Sequence, residues 1–159
     1  MNKHILWQST LCVLLLAVMS LLAACGYDDA VILSLPAYDQ KEFYTEGGFQ
    51  DFTDYGIYRF PLFDKGKLEE NLYFTPITDA DAILPYIENF ETWITEGSEL
   101  SDHYDFDKAC IGDGDYVFID TKEGKPIGNG GTTYGAFDNY SVYFFDADTW
   151  TLHYFHSNI

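Results

Sequence analysis

The chain has 159 residues, 47% of them hydrophobic and 18% aromatic, so it is long enough and apolar enough to bury a real core. Eight basic residues against 26 acidic ones give a net charge of −18. Nucleic acid is therefore excluded as a partner, because neutralising phosphates takes clustered Lys and Arg, whereas Arg59 is the only arginine and the lysines are scattered or paired beside acids, as in "DKGKLEE". The same charge keeps the domain off an anionic bilayer and favours cationic partners (basic proteins, peptides or divalent ions), against a baseline in which acidity only keeps an exposed protein soluble.

The N-terminus has the three parts of an export signal: a basic start at Lys3 and His4, an apolar core in "LCVLLLAVMSLL", and small residues Ala23 and Ala24. A spanning helix needs about 20 apolar residues. Residues 5–24 only just reach that length, and "QST" puts polar groups inside it. Ordinary secretory cleavage after Ala24 would place Leu22 where a small residue is wanted, whereas a cut after Gly26 is allowed, with Ala24 in the earlier position. The run Leu22, Ala23, Ala24, Cys25 resembles the lipobox of bacterial lipoproteins residue for residue. The resemblance covers only the signal. It implies that the Cys25 thiol takes a diacylglyceryl group and that a signal peptidase cuts just before it. A protein anchored by lipid on the extracytoplasmic face of the cell membrane follows, since two acyl chains hold stably where one holds marginally.

The expected organisation is then a removed signal peptide over 1–24, a lipidated acidic tether over 25–30, and a single small domain over 31–159. The signal takes away one basic residue and no acidic one, so the mature chain is one unit more negative still. Cys12 leaves with the signal and Cys25 goes to the lipid, which leaves Cys110 without an intramolecular partner and the domain without disulfides. Cys110, in "KACIG", reads as a small buried hydrophobe. A nucleophilic role would require His103, His153 or His156 beside it in space.

Two β-rich runs, "YGIYRFPLF" and "NLYFTPI", are expected to form a hairpin, with Pro61 and Pro76 confining the strands to edges or ends. Ile83, Ile87, Phe90 and Ile94 then recur at helical spacing, with Leu84 beside them. Thr78 and Asp81 resemble a capping box, Gly97 is a candidate stop, and Pro85 either kinks the helix or begins its main part after a separate first turn. Farther on, "DYVFIDTKEGKPIG" reads as a strand, a turn at "KEG" and a short partner. "YSVYFFDADTWTLHYF" reads as a long hairpin turning at "DADT". Its strand puts Val142 and Phe144 on one face and Tyr143 and Phe145 on the other, so both faces want cover. The expected fold is α+β, an antiparallel sheet of about five strands packed on one main helix.

The acidic clusters are weighed as metal sites and as turns. "GDGD" (Asp113, Asp115) and "FDADT" (Asp146, Asp148) do not continue into a calcium loop with its distal glutamate, and aspartates that cap their own turn backbone account for them. In "DHYDFD" one His and three Asp lack a further well-placed ligand, and His153 and His156, three apart on a strand, point to opposite sides. No nucleophile elbow, zinc-protease helix or phosphate loop is present. No catalytic residue, metal ligand or cofactor is therefore assigned. The loop "GNGGTTYGAFDN" offers Tyr134 and Phe137 as a candidate binding pair, with folding back onto the aromatic core as the competing role. The expectation is a non-enzymatic binding or accessory lipoprotein. Its alternatives are an inhibitor or immunity lipoprotein against a basic toxin or lytic enzyme, and a metal-dependent hydrolase.

Overall fold

In the computed structural model, which describes residues 28–48, 51–121 and 137–159, the period-two pattern near the C-terminus forms a long antiparallel hairpin. Its strands are β5 (Asn139–Asp146) and β6 (Thr151–Asn158), in register from Asn139 opposite Asn158 to Asp146 opposite Thr151. The turn falls on "ADTW", one residue beyond the expected "DADT", because Asp146 stays in β5. Trp150 takes a positive φ of 56° there, a conformation that costs a non-glycine residue about 1–2 kcal/mol. Packing holds it: the indole meets Phe63 and Phe145 with ring centroids 4.7 and 6.1 Å away.

The chain divides into two compact units, residues 1–33 and 34–159. The described part of the first is a single helical turn, α1 (Ala30–Leu33), whose leading N–H groups on Val31 and Ile32 donate to Asp29 Oδ1. The expected signal over 1–24, and Cys25 with it, lie outside the described residues.

In the second unit β1 (Gln40–Gly47) and β2 (Phe52–Arg59) form a hairpin, and β2 also pairs with β6. A short strand β3 (Thr75–Pro76) pairs with β4 (Tyr116–Thr121), and β4 with β5. All pairings are antiparallel, giving a six-stranded sheet in the order β1-β2-β6-β5-β4-β3. Between strands lie short helices: α2 (Gly66–Glu69), α3 (Leu84–Glu91) and α4 (Glu99–His103), with single 3-10 turns at Ala80–Ala82 and Lys108–Cys110. The fold is α+β.

Three expectations are corrected. The runs at 55–63 and 71–77 do not pair with each other: "DKGKLEE" folds into α2, both edges of β2 are taken by β1 and β6, and β3 pairs with β4. The Thr78 capping box does not form: Asp79 caps the 3-10 turn Ala80–Ala82, its Oδ1 accepting the Asp81 N–H at 3.0 Å, and the main helix α3 begins after Ile83 with no side-chain cap. It also stops at Glu91, well before Gly97, where Thr92 Oγ1 turns back to donate to the Asn89 carbonyl. Pro85 sits in the first turn of α3, where its missing N–H is harmless, with Ala80–Ala82 as the separate turn before it. The expected "KPIG" partner of β4 lies outside the described residues.

Residues directly opposite in an antiparallel ladder share a face. One face therefore carries Tyr55, Ile57, Val142, Phe144, His153 and Phe155. All of these but His153 join Ile83, Tyr86, Ile87, Phe90, Leu100, Phe106 and Ile111 in one buried cluster, and the half-buried His153 ring packs on its Phe106 and Phe144. A buried hydrogen bond ties helix to sheet within it, from the Tyr140 hydroxyl to the Tyr86 carbonyl at 2.9 Å. The other face carries Tyr58, Phe145 and Leu152, all buried, with Phe60, Phe63 and Phe74 packed edge-on or tilted against Phe145. Both faces of the "SVYFF" strand are thus covered, as its two-sided apolarity requires.

Candidate functional site

The residues proposed from sequence fall in different places. Cys25 and Tyr134 lie outside the described residues. Phe137 is half-buried, with its ring 4.9 Å from Tyr86 and 6.1 Å from Tyr140. Its ring packs against the core cluster while part of it stays accessible.

The acidic turns spend their oxygens on backbone. Buried Asp115 accepts N–H groups from Gly112 and Ala147 at 3.0 and 2.9 Å, binding the "GDGD" turn to the β5–β6 turn. Asp146 accepts from Asp148 N, Thr149 N and Thr149 Oγ1. Burial raises the Asp115 carboxyl above its usual range, its two backbone donors oppose that rise, and the neighbouring carboxylates of Asp146 and Asp148 add to it. In "DHYDFD", His103 stacks on Tyr44 at 4.3 Å, Phe106 enters the core, and Asp107 caps the 3-10 turn by accepting the Ala109 N–H. Among the described residues no group of three His, Cys, Asp or Glu side chains converges on a metal-sized site.

Cys110 is exposed, which corrects its reading as a buried hydrophobe. Partial burial of the sulfur and the carboxylates of Asp146, Asp115 and Asp107 push its thiol up to about 11. A nucleophilic cysteine needs the opposite environment, one that stabilises thiolate. His153 lies across the core-facing side of the sheet, its ring against Phe106 and Phe144 and its Nδ1 3.2 Å from the Tyr55 hydroxyl. Burial drives it down to about 4, with Asp146 and Asp105 pulling the other way. It is a neutral core histidine. His156 is on the opposite face, as the odd spacing predicts, with its Nδ1 2.9 Å from Ser141 Oγ.

Among the accessible features of the second unit is the outer edge of the sheet at β1. The even-numbered residues of β1 face the helical side. There Glu42 pairs with Arg59 and accepts the Tyr44 hydroxyl, and the Arg59 hydrogen bond is the main reason its carboxyl falls below the usual range. Glu46 accepts the Thr95 N–H and the Ser98 hydroxyl at 2.8 Å, so its carboxyl is also lowered although burial opposes the change. Glu99 and Asp105 lie close enough to raise the Tyr44 phenol after burial and Glu42 have done so. The odd-numbered residues face the other way: Phe43, 39% exposed, stacks on Tyr154 across Gly56, where a Cβ would come within 3.1 Å of the Phe43 ring. Gly47 ends the strand at φ 114°, with the Asp51 carbonyl too close to admit a side chain.

This edge was not found from sequence. "QKEFYTEG" has alternation in Phe43 and Thr45 against Glu42, Tyr44 and Glu46, but its charges hide the strand signal. The chain matches no protein-family model, no curated protein and no solved structure.

Proposed function

We propose that the chain is a lipid-anchored extracytoplasmic lipoprotein that acts by binding, without chemistry of its own. The observation that carries the anchor is the run Leu22-Ala23-Ala24-Cys25 behind a basic start and an apolar core. Among the described residues no helix is long and apolar enough to cross a membrane. Binding is favoured over catalysis by environment: the one described thiol is held protonated, the buried histidine is held neutral, and the turn aspartates are committed to backbone N–H groups. In this reading α3 is the main helical layer on the sheet, residues 31–159 act as one domain, and that domain is displayed beyond the membrane by the 25–30 tether.

The partner class follows from charge. A net charge of −18 and the carboxylates along β1 favour a basic protein or peptide, the reading in which such a lipoprotein neutralises a cationic toxin or lytic enzyme at the cell surface. The anchor is tested by metabolic labelling with a palmitate analogue in a bacterial host. The wild-type chain is expected to take up label and Cys25→Ala is expected to take up none; label on Cys25→Ala would overturn the reading.

A further inference from the structure

Backbone hydrogen bonds alternate along an antiparallel strand, so one observed bond fixes the direction of the rest. The Phe60 N–H donates to the Trp150 carbonyl at 2.9 Å, which assigns the even-numbered residues of β2 to β6 and its odd-numbered residues to β1. The Gly48 N–H donating to the Asp51 carbonyl at 2.8 Å fits the same alternation. On β1 the even residues therefore bond inward, and Phe43, Thr45 and Gly47 turn their N–H and C=O groups to the outer edge. No other described strand lies beyond them. All three residues are exposed.

Open edges template pairing with another chain and are normally blunted by prolines, bulges, covering loops or charged side chains, and this one carries only the last of these, in Lys41, Glu42 and Glu46. Here the two sides of the edge also differ in chemistry. Glu42, Glu46, Glu99 and Asp105 stand on the helical side, and Phe43 and Thr45 on the other, where the Lys41 Nζ also sits 5.3 Å from the Phe43 ring centroid. An added strand alternates its own side chains at the same period.

We propose that the outer edge of β1 docks a basic extended segment by strand addition. The segment's lysines or arginines lie beside Glu42 and Glu46, and its apolar residues lie beside Phe43. The proposal rests on the reading of the chain as a binding module for a cationic partner and names the surface that does the binding.

The test uses the full-length chain in detergent and a capped peptide of alternating Lys and Val as long as β1, 8 residues. The peptide is expected to bind at low salt and to protect the Phe43, Thr45 and Gly47 amides from exchange, while its Glu-Val counterpart does not bind. Thr45→Pro removes an outward N–H that the ladder to β2 does not use, and Thr45→Val keeps that N–H while losing the hydroxyl's bond to Asp54. Proline is expected to weaken binding about tenfold relative to valine, the effect of losing one edge hydrogen bond and its neighbour. A peptide N-methylated at alternate residues is expected to bind in only one of its two methylation registers. If the Lys-Val peptide binds but proline and both methylated peptides leave its affinity unchanged, strand addition is overturned while the cationic-partner reading stands. Failure of the Lys-Val peptide to bind at low salt overturns the docking site as well. So does sedimentation showing a dimer that Thr45→Pro dissolves, because the edge then belongs to a second copy of the chain.

Discussion

At the scale of single residues, His153 is where the fold writes a pH dependence into stability. Its imidazole packs against Phe106 and Phe144 with the Tyr55 hydroxyl as its hydrogen-bond partner among the described residues, and burial takes it from an ordinary 6.5 to about 4. The unfolded chain therefore binds a proton between these values that the folded chain refuses. Stability from this group is fully present above pH 6.5 and is lost as pH falls toward 4. A tenfold change in proton affinity corresponds to about 1.4 kcal/mol, so the whole window is worth on the order of 3 kcal/mol, less whatever the ring regains from residual exposure. Thermal melts of the wild type and His153→Gln from pH 7 to pH 4 check this. The wild type is expected to lose stability faster than the variant across that window, since carboxylates such as Asp54 and Asp115 titrate alike in both; parallel profiles would show that His153 is not the cause.

At the scale of elements, the β5–β6 hairpin is the part of the fold most dependent on one side chain. Asp146 closes the turn with three accepted hydrogen bonds, and Trp150 beside it holds a left-handed backbone that only packing sustains. Asp146→Ala is expected to cost about 2 kcal/mol, because two turn N–H groups lose their acceptor. Asp146→Asn keeps an amide oxygen in place and relieves the repulsion with Asp115, so it is expected to cost less than half as much by denaturant melts. Equal losses would mean that charge, and not the accepted bonds, holds the turn. This hairpin was legible in the sequence because its pattern and its partner are neighbours in the chain. Helix α3 was legible for the same local reason, although the sequence left open whether Pro85 kinks it or starts its main part, and its end was not legible, since Ile94 keeps the apolar spacing and reaches the core from beyond the helix. The false pairing of 55–63 with 71–77 shows the limit. Both runs are good strand formers, and only the distant 151–158 decides that β2 belongs beside β6. The candidate edge failed to appear for a related reason: an edge strand half in water needs few apolar residues, so Lys41, Glu42 and Glu46 read as loop.

At the scale of the whole molecule, charge and burial pull stability in opposite directions with pH, and salt separates them. A net charge of −18 over 159 residues destabilises the compact state by self-repulsion. At 10 mM salt the Debye length is about 30 Å, so carboxylates on opposite sides of the domain still repel; at 0.15 M it is about 8 Å, and only near neighbours do. Raising salt at pH 7 is therefore expected to raise the melting temperature. Acidification from pH 7 toward 5 relieves the same repulsion by adding positive charge, but it also starts to impose the cost of keeping His153 neutral, and salt scarcely screens a buried ring. At low salt the two effects oppose each other and the melting temperature should change little over this range. At high salt the repulsion has already been removed, the cost at the histidine stands alone, and the melting temperature should fall as the pH drops. The measurement is a grid of melts over two pH values and two salt concentrations, repeated with His153→Gln, in which the fall at high salt should shrink. A drop of the same size at both salt concentrations would mean that the acidity of the chain has no part in its stability, leaving solubility and partner choice as its physical roles.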